Sequence, residues 1–222
     1  MNDEELKEYG RQLAHPSGEA GLQIAEMLNE TNIGMTTAAT DALHMSDGNL
    51  LLELGHGNCG HLDMVLARAK DIQYFGLEVS EDMYQEAGRR NASTVKTGAA
   101  NFFLYDGEVL PFEHELFDRV MTVNTIYFWS DAAAMCRELA RVLKPGGLLA
   151  IAFGEKSFMK DLPFTKHSFN LVDSEEVIAW LELAGLKVEQ RLVKTEKVKT
   201  RSGETVDREY TVVSASKRSQ TF

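Results

Sequence analysis

Residues 50–62 read LLLELGHGNCGHL: an apolar run meets Gly55, Gly57 and Gly60 and then passes into a helical pattern. A short, nearly continuous apolar strand belongs to a parallel sheet, because helices cover such a sheet on both faces and bury both sides of the strand. A glycine turn directly after the strand lets backbone or ligand approach closely. This junction predicts an α/β fold with a loop at the carboxyl end of a buried strand, where open sheets of this kind bind ligands.

The chain repeats the same grammar. IQYFGLEV (72–79), ANFFLYD (100–106), FDRVMTVN (117–124) and GLLAIAF (147–153) read as further strands. Between and after them lie the helical patterns GHLDMVLARAK (60–70), EDMYQEAGRRNAS (81–93), DAAAMCRELARVLK (131–144) and EVIAWLELAG (176–185). Ser80 is placed to cap one helix and Asp173 with Glu176 to form a capping box for another. Pro145-Gly146-Gly147 is expected to stop the third helix, and Gly185 the fourth. Before residue 47 the sequence holds three helical pieces, 3–13, 17–32 and 34–45, with Ser17 a candidate cap. After residue 185, 186–199 and 204–216 alternate in polarity around TRSG, a hairpin signal. The expected organisation is a helical cap, 1–46, on a doubly wound, mostly parallel α/β unit, 47–222, edged by an antiparallel pair.

Totals narrow the function. Asp and Glu number 34 against 23 Lys and Arg, a net charge of −11, which argues against a nucleic-acid partner. Cys59 and Cys136 alone make neither a disulfide framework nor a zinc site. HGNCGH places His56, Cys59 and His61 across a glycine turn, a poor ligand spacing, so no metal is expected. His44, His61 and His114 carry no signal of their own. The start, MNDEELKEYG, lacks a signal peptide's basic flank and apolar run, and no apolar stretch approaches the ~20 residues of a membrane span. A cytoplasmic protein is expected; monomer and homodimer both stay open.

Gly55-x-Gly57-x-x-Gly60 matches a dinucleotide loop letter for letter. The carboxylates around it do not match one. Glu53 ends the first strand two residues before Gly55 and would repel a pyrophosphate. Glu78 ends the second strand, where an acid accepts from ribose hydroxyls. Asp106 ends the third, within reach of an adenine amino group. Acids at three strand ends describe a site for a nucleoside with a cationic end and no phosphates.

These residues, with GEVLPF (107–112), VNTIYFWSD (123–131) and ELARVLKPGGLLAIAF (138–153), resemble the motifs of the class I S-adenosylmethionine-dependent methyltransferases. The likeness runs from about residue 50 to 153, and within the family it is loosely similar to the small-molecule branch that includes the quinone-biosynthesis C-methyltransferases. It departs at Cys59, which stands where the family's first motif has its third glycine. The resemblance implies a Rossmann-like, seven-stranded sheet closed by the C-terminal hairpin. It also implies S-adenosylmethionine as cofactor, S-adenosylhomocysteine as product and a small-molecule acceptor. Glu53, Gly55, His56, Gly57, Cys59, Glu78, Val79, Asp106, Gly107, Asn124, Thr125 and Ile126 are then expected around the cofactor, with Gln12 and Pro16 capping it. Tyr9, Tyr127, Trp129, Phe158, Phe164 and His167 are expected around the acceptor. No residue is singled out as catalytic, since the methyl donor arrives activated and a base is needed only for a protonated nucleophile. A silent cofactor binder and a nicotinamide-dependent reductase are the alternatives.

Overall fold

The computed structural model describes residues 1–199, 203 and 205–219. Three helices come first: α1 (Asp3–Ala14), α2 (Gly18–Thr31) and α3 (Ile33–Ala42). Then come β1 (Leu50–Leu54), α4 (Leu62–Leu66), β2 (Gln73–Glu78), α5 (Glu81–Arg90), α6 (Ala92–Thr97), β3 (Ala100–Leu104) and β4 (Phe117–Val123). After a 3-10 turn at Ile126–Phe128 follow α7 (Ala132–Val142), β5 (Leu143–Gly154), α8 (Lys156–Met159), a second 3-10 turn at Pro163–Lys166, α9 (Ser174–Leu183), β6 (Leu186–Lys199) and β7 (Thr205–Lys217).

The described strands form one seven-stranded sheet in the order β3-β2-β1-β4-β5-β7-β6. The first five run parallel, and β7 pairs antiparallel with both β5 and β6. The chain builds outward from β1 through β2 to β3, then returns to start β4 on the other side of β1. That reversal opens a crevice at the carboxyl ends of β1 and β4. The sheet splits the core in two: Leu52 and Leu54 join a cluster with Phe117, Leu139 and Leu181, while Leu51 joins Met35, Leu43, Val65 and Tyr74. Alternate residues of a strand face opposite sides, so β1 is buried on both.

Most local signals act as expected. Ser80 Oγ accepts from Met83 N–H at 3.2 Å, Asp173 and Glu176 form a reciprocal capping box, and Gly185 leaves α9 at φ +83°. Others resolve differently. Ser17 stands at the start of α2 without capping it, because its Oγ accepts from Arg11 Nη2 at 3.2 Å. The helix expected over 60–70 is five residues, 62–66, ending against Ala67. Helix α7 ends at Val142, before Pro145, since the residue ahead of a proline disfavours the helical region. Pro145-Gly146-Gly147 instead lies in the first part of β5, where its pairing with β4 shifts register. Helix α3 is core: Met35, Ala38 and Ala39 are at most 1% exposed. The TRSG turn falls, apart from Gly203, outside the described residues. No described helix is long and apolar enough to cross a membrane.

Candidate active site

The crevice opens into a cavity of about 890 Å³. Its floor is the loop after β1: Glu53, Gly55, His56 and Gly57 all line it. Gly55 and Gly57 adopt φ of +73° and +57°, the left-handed region that glycine enters without a Cβ penalty. A Cβ on Gly55 would stand 2.3 Å from Thr125 Cγ2, whereas one on Gly57 would meet nothing within 4 Å. The loop is thus packed tight against β4 at Gly55 and faces open space at Gly57. Cys59 takes φ +49°, the left-handed conformation, so the missing third glycine is replaced by a strained cysteine rather than by a different turn.

Glu78, at the end of β2, is 5% exposed and anchors this floor. Its Oε2 accepts from Gly57 N–H at 2.9 Å; its Oε1 accepts from Val79 N–H at 2.8 Å and Ser80 N–H at 3.1 Å. One carboxylate therefore ties the glycine loop to the β2–α5 turn. The cap is tied there too: Ser80 Oγ donates to the Pro16 carbonyl at 2.5 Å, and Gly18 N–H donates to Asp82 Oδ2 at 2.7 Å.

Glu53 is 2% exposed and does not stand alone. Its Oε2 accepts from His61 Nε2 at 2.8 Å and from Tyr74 OH at 2.6 Å, and Cys59 Sγ donates to the Tyr74 oxygen at 3.3 Å. Burial opposes charge on Glu53, but the His61 imidazolium and the bonds from His61 and Tyr74 outweigh it and hold the carboxyl below its usual range. Burial likewise opposes charge on His61, and Glu53 outweighs it and raises the imidazole. The two form a buried hydrogen-bonded pair in which each partner favours the charged form of the other. Burial and the Glu53 charge push the Cys59 thiol well up, so it remains a donor. Cys59, His61 and Glu53 bring one ligand-type atom each within 4.8 Å, yet the thiol is committed to Tyr74. His56 donates through Nδ1–H to the Gly57 carbonyl at 2.7 Å, and its ring lies tilted against Phe102 with centroids 4.9 Å apart; burial lowers its pKa.

Val79, Asp106, Gly107, Asn124 and Thr125 also line the cavity. Asp106 Oδ1 accepts from Glu108 and Val109 N–H at 2.9 and 3.2 Å, an Asx turn that lowers its pKa and shapes the loop after β3. Asn124 ends β4 at φ +58°. Around the rim stand Tyr9, Pro16, Tyr127, Trp129, Phe158 and Phe164. Tyr9 meets Phe164 edge-on at 5.3 Å, and Phe169 bridges Phe164 (5.7 Å), Phe128 (4.7 Å) and Tyr127 (5.6 Å). The Tyr127 hydroxyl accepts from Gly154 N–H at 2.6 Å and lies 3.0 Å from the Gly154 carbonyl; burial raises its pKa and fixes it as a phenol.

Four expected residues stand elsewhere. Cys59 is fully buried in the Tyr74 cluster, and Ile126, 1% exposed, packs in the opposite core; neither lines the cavity. Gln12 is buried in the α1–α2 turn, where its Oε1 accepts from Ser17 N–H at 2.8 Å and its amide donates to Glu8 and to the Ser17 carbonyl. His167 sits outside the walls, with Nε2 3.2 Å from Asp3 Oδ1. In each case the side chain's nearest partner, core or turn, claims it.

Sequence reasoning missed three contributors. His61, read as ordinary, and Tyr74, not singled out by the sequence, are the partners of Glu53. Met27, Leu28 and Thr31 of α2 line the cavity. So do Val198, Val206 and Arg208, because β6 and β7 are 14 and 13 residues long and overhang the sheet beyond the Gly154–Tyr210 pair. Arg208 pins this overhang: Nη1 donates to Asn32 Oδ1 at 3.0 Å, and Nη2 to the Thr31 carbonyl and Glu196 Oε1, both at 2.5 Å. The signal was present in the length of the alternating tail.

The model of a methyltransferase domain family matches residues 52–151, the span that holds Glu53, the glycine loop, Glu78, Asp106 and Asn124. Residues 52–151 are thus similar to a methyltransferase domain. The domain is 33% identical over 109 residues to the uncharacterized methyltransferase YdaC of Bacillus subtilis, covering 49% of this chain and 58% of that protein. It is 33% identical over 137 residues to methyltransferase GfsG of Streptomyces halstedii, covering 62% of this chain and 45% of that one. The chain thus spans about half the length of the curated relatives it matches. Among solved structures, a SAM-dependent methyltransferase from Aquifex aeolicus superposes with TM-score 0.64 at 18% identity, covering 94% of this chain and 97% of the other. Geranyl diphosphate C-methyltransferase from Streptomyces coelicolor, solved with S-adenosyl-L-homocysteine, gives TM-score 0.67 at 14% identity, covering 83% and 77%. These likenesses show the fold: the seven-stranded sheet is the one those solved methyltransferases have.

Proposed function

We propose that the protein transfers the methyl group of S-adenosylmethionine to a small, largely apolar acceptor bound in the same cavity. The observation that carries this reading is the convergence of Glu53, the open face of Gly57 and Glu78 on one side of a cavity whose other side is aromatic. The bound cofactor supplies a sulfonium-activated methyl group. Gly55 and Gly57 keep the floor low enough for it, Glu78 holds the ribose, and Asp106 with Gly107 borders the adenine. Glu53 faces its amino-acid end, and Asn124 and Thr125 border the methyl. Residues 1–46 cap the cofactor through Pro16 and Tyr9.

Acceptor recognition falls to Tyr9, Tyr127, Trp129, Phe158 and Phe164. Their work is to exclude water and align nucleophile and methyl at about 3–3.5 Å, which supplies most of what an activated donor requires. The net charge of −11 disfavours a nucleic-acid acceptor, and the relatives named as small-molecule enzymes point the same way. A thermal-shift series with S-adenosylmethionine, S-adenosylhomocysteine and the nicotinamide dinucleotides tests the cofactor, because a ligand at about 100 times its Kd stabilises the native state by ~2.7 kcal/mol. Stabilisation by a dinucleotide alone overturns the reading. Transfer of labelled methyl to members of a metabolite panel identifies the acceptor.

A further inference from the structure

The sheet ends in β3 on one side and β6 on the other, and the two edges are built oppositely. Lys187, Glu189, Arg191, Lys194, Glu196 and Lys197 lie along β6, and a register shift between Val188 and Gln190 interrupts its pairing. Charges and bulges of this kind keep an edge from pairing with another chain. The β3 edge, ANFFL, carries neither a charge nor a proline. Phe103 is 36% and Leu104 47% exposed, and exposed Val95 and Val109 flank the strand.

The ladder fixes which backbone groups of β3 face outward. Tyr74 N–H donates to the Ala99 carbonyl and Tyr105 N–H to the Glu78 carbonyl. Alternate residues of a parallel strand bond the same neighbour, so 99, 101, 103 and 105 face β2, and Ala100, Phe102 and Leu104 turn their N–H and carbonyl away from it. Ala100 is fully buried, which leaves 102–104 as the open stretch. Outside the ladder, no hydrogen bond among the described residues involves the backbone of Phe102 or Leu104.

We propose that this edge takes a second copy of the chain, β3 pairing antiparallel with β3 about a twofold axis at Phe103. Phe102 then exchanges both its backbone bonds with the second copy's Leu104, and Leu104 with the second copy's Phe102. The two Phe103 side chains stand opposite each other on one face, as a non-hydrogen-bonded pair in which side chains come closest. The axis also sets the end of each strand against the start of the other. Exposed Lys96 precedes the strand, and exposed Asp106 and Glu108 follow it. Antiparallel pairing therefore brings the acids of one copy toward the base of the other, and Val109 toward Val95. Parallel pairing would set like charge against like. The contact is self-complementary, and the charged β6 edges are left at both ends of the joined sheet, so assembly stops at two.

Light scattering on the full chain after gel filtration tests this, and is expected to give twice the 24.8 kDa of one chain. Leu104→Lys puts a charge into the edge and is expected to weaken the dimer by about tenfold or more. Lys96→Glu and Glu108→Lys should each weaken it, and the double variant should recover it, because the swap restores opposite charges across the axis. These two positions are exposed, so they test the interface even if Leu104→Lys unfolds the chain. Oxidised Phe103→Cys should form a disulfide between copies, since directly opposed residues of such a pair stand about 4.5 Å apart at Cα, within disulfide reach. Val193→Cys, on the β6 edge, should not, and the native Cys59 and Cys136 are buried. A wild type that is monomeric at about 1 mM overturns the proposal, whether or not another protein takes the edge. So does a dimer that a folded Leu104→Lys leaves unchanged, or a double charge variant no stronger than either single one.

Discussion

Thr125 and Gly55 fit against each other without room for a single added carbon: a Cβ on Gly55 would lie 2.3 Å from the Thr125 methyl. This contact joins the loop after β1 to the turn after β4 at the strand-order reversal. It predicts that Gly55→Ala is costly twice over, through the left-handed backbone at ~1–2 kcal/mol and through overpacking at ~1–3 kcal/mol. Gly57→Ala shares the first cost and escapes the second. Urea unfolding should therefore rank Gly55→Ala well below Gly57→Ala in stability, while titration with S-adenosylhomocysteine should find Gly57→Ala the more damaged for its stability, since its methyl points into the open floor.

Glu78 satisfies three backbone N–H groups from two chain segments. Glu78→Ala leaves all three donors without their acceptor and removes the proposed ribose partner at once. We expect S-adenosylhomocysteine affinity to fall by about tenfold or more, with a stability loss of ~1–3 kcal/mol from the unpaired donors. Unchanged affinity in a calorimetric titration would remove Glu78 from the site.

Arg208 holds the overhang of β6 and β7 onto the α2–α3 junction. Arg208→Ala should loosen that overhang and leave the inner hairpin, paired with β5, intact. Hydrogen exchange read by mass spectrometry should rise over residues 194–198 and 205–209 and hold steady over 211–216. Uniform acceleration along the hairpin would mean that Arg208 supports the sheet rather than the cover.

The buried histidines should titrate on opposite sides of 6.5, His61 above because Glu53 outweighs burial, His56 below because burial dominates. The signs give the stability profile. His61, raised in the fold, contributes stability that is full below 6.5 and is lost as pH climbs through its folded value. Glu53, lowered in the fold, contributes above 4.5 and is lost as pH falls through its folded value. The stability difference between wild type and His61→Gln should therefore be greatest between about pH 4.5 and 6.5. His56 acts oppositely, costing stability as pH drops below 6.5, so the ring resonances should be followed individually by NMR.

The α/β alternation, the parallel sheet and the loop at 55–60 were legible in the sequence because each is a local statement: a doubly buried strand needs an apolar run, and a left-handed turn favours glycine. The placement of Glu53, Glu78 and Asp106 at strand ends followed from the same register. Tertiary structure alone decided which side chains reach the cavity. Cys59 and Gln12 sit beside residues that face it, yet one is drawn into the core by Tyr74 and the other into a turn by Ser17. His61 looked like an isolated histidine, and its bond to Glu53 exists only because the glycine loop turns the start of α4 back onto the end of β1. The overhanging hairpin likewise shows its length in the sequence but not what it covers. Local periodicity encodes which face of an element is buried; which partner occupies that face depends on contacts between residues far apart in the chain, and these are fixed when the layers pack.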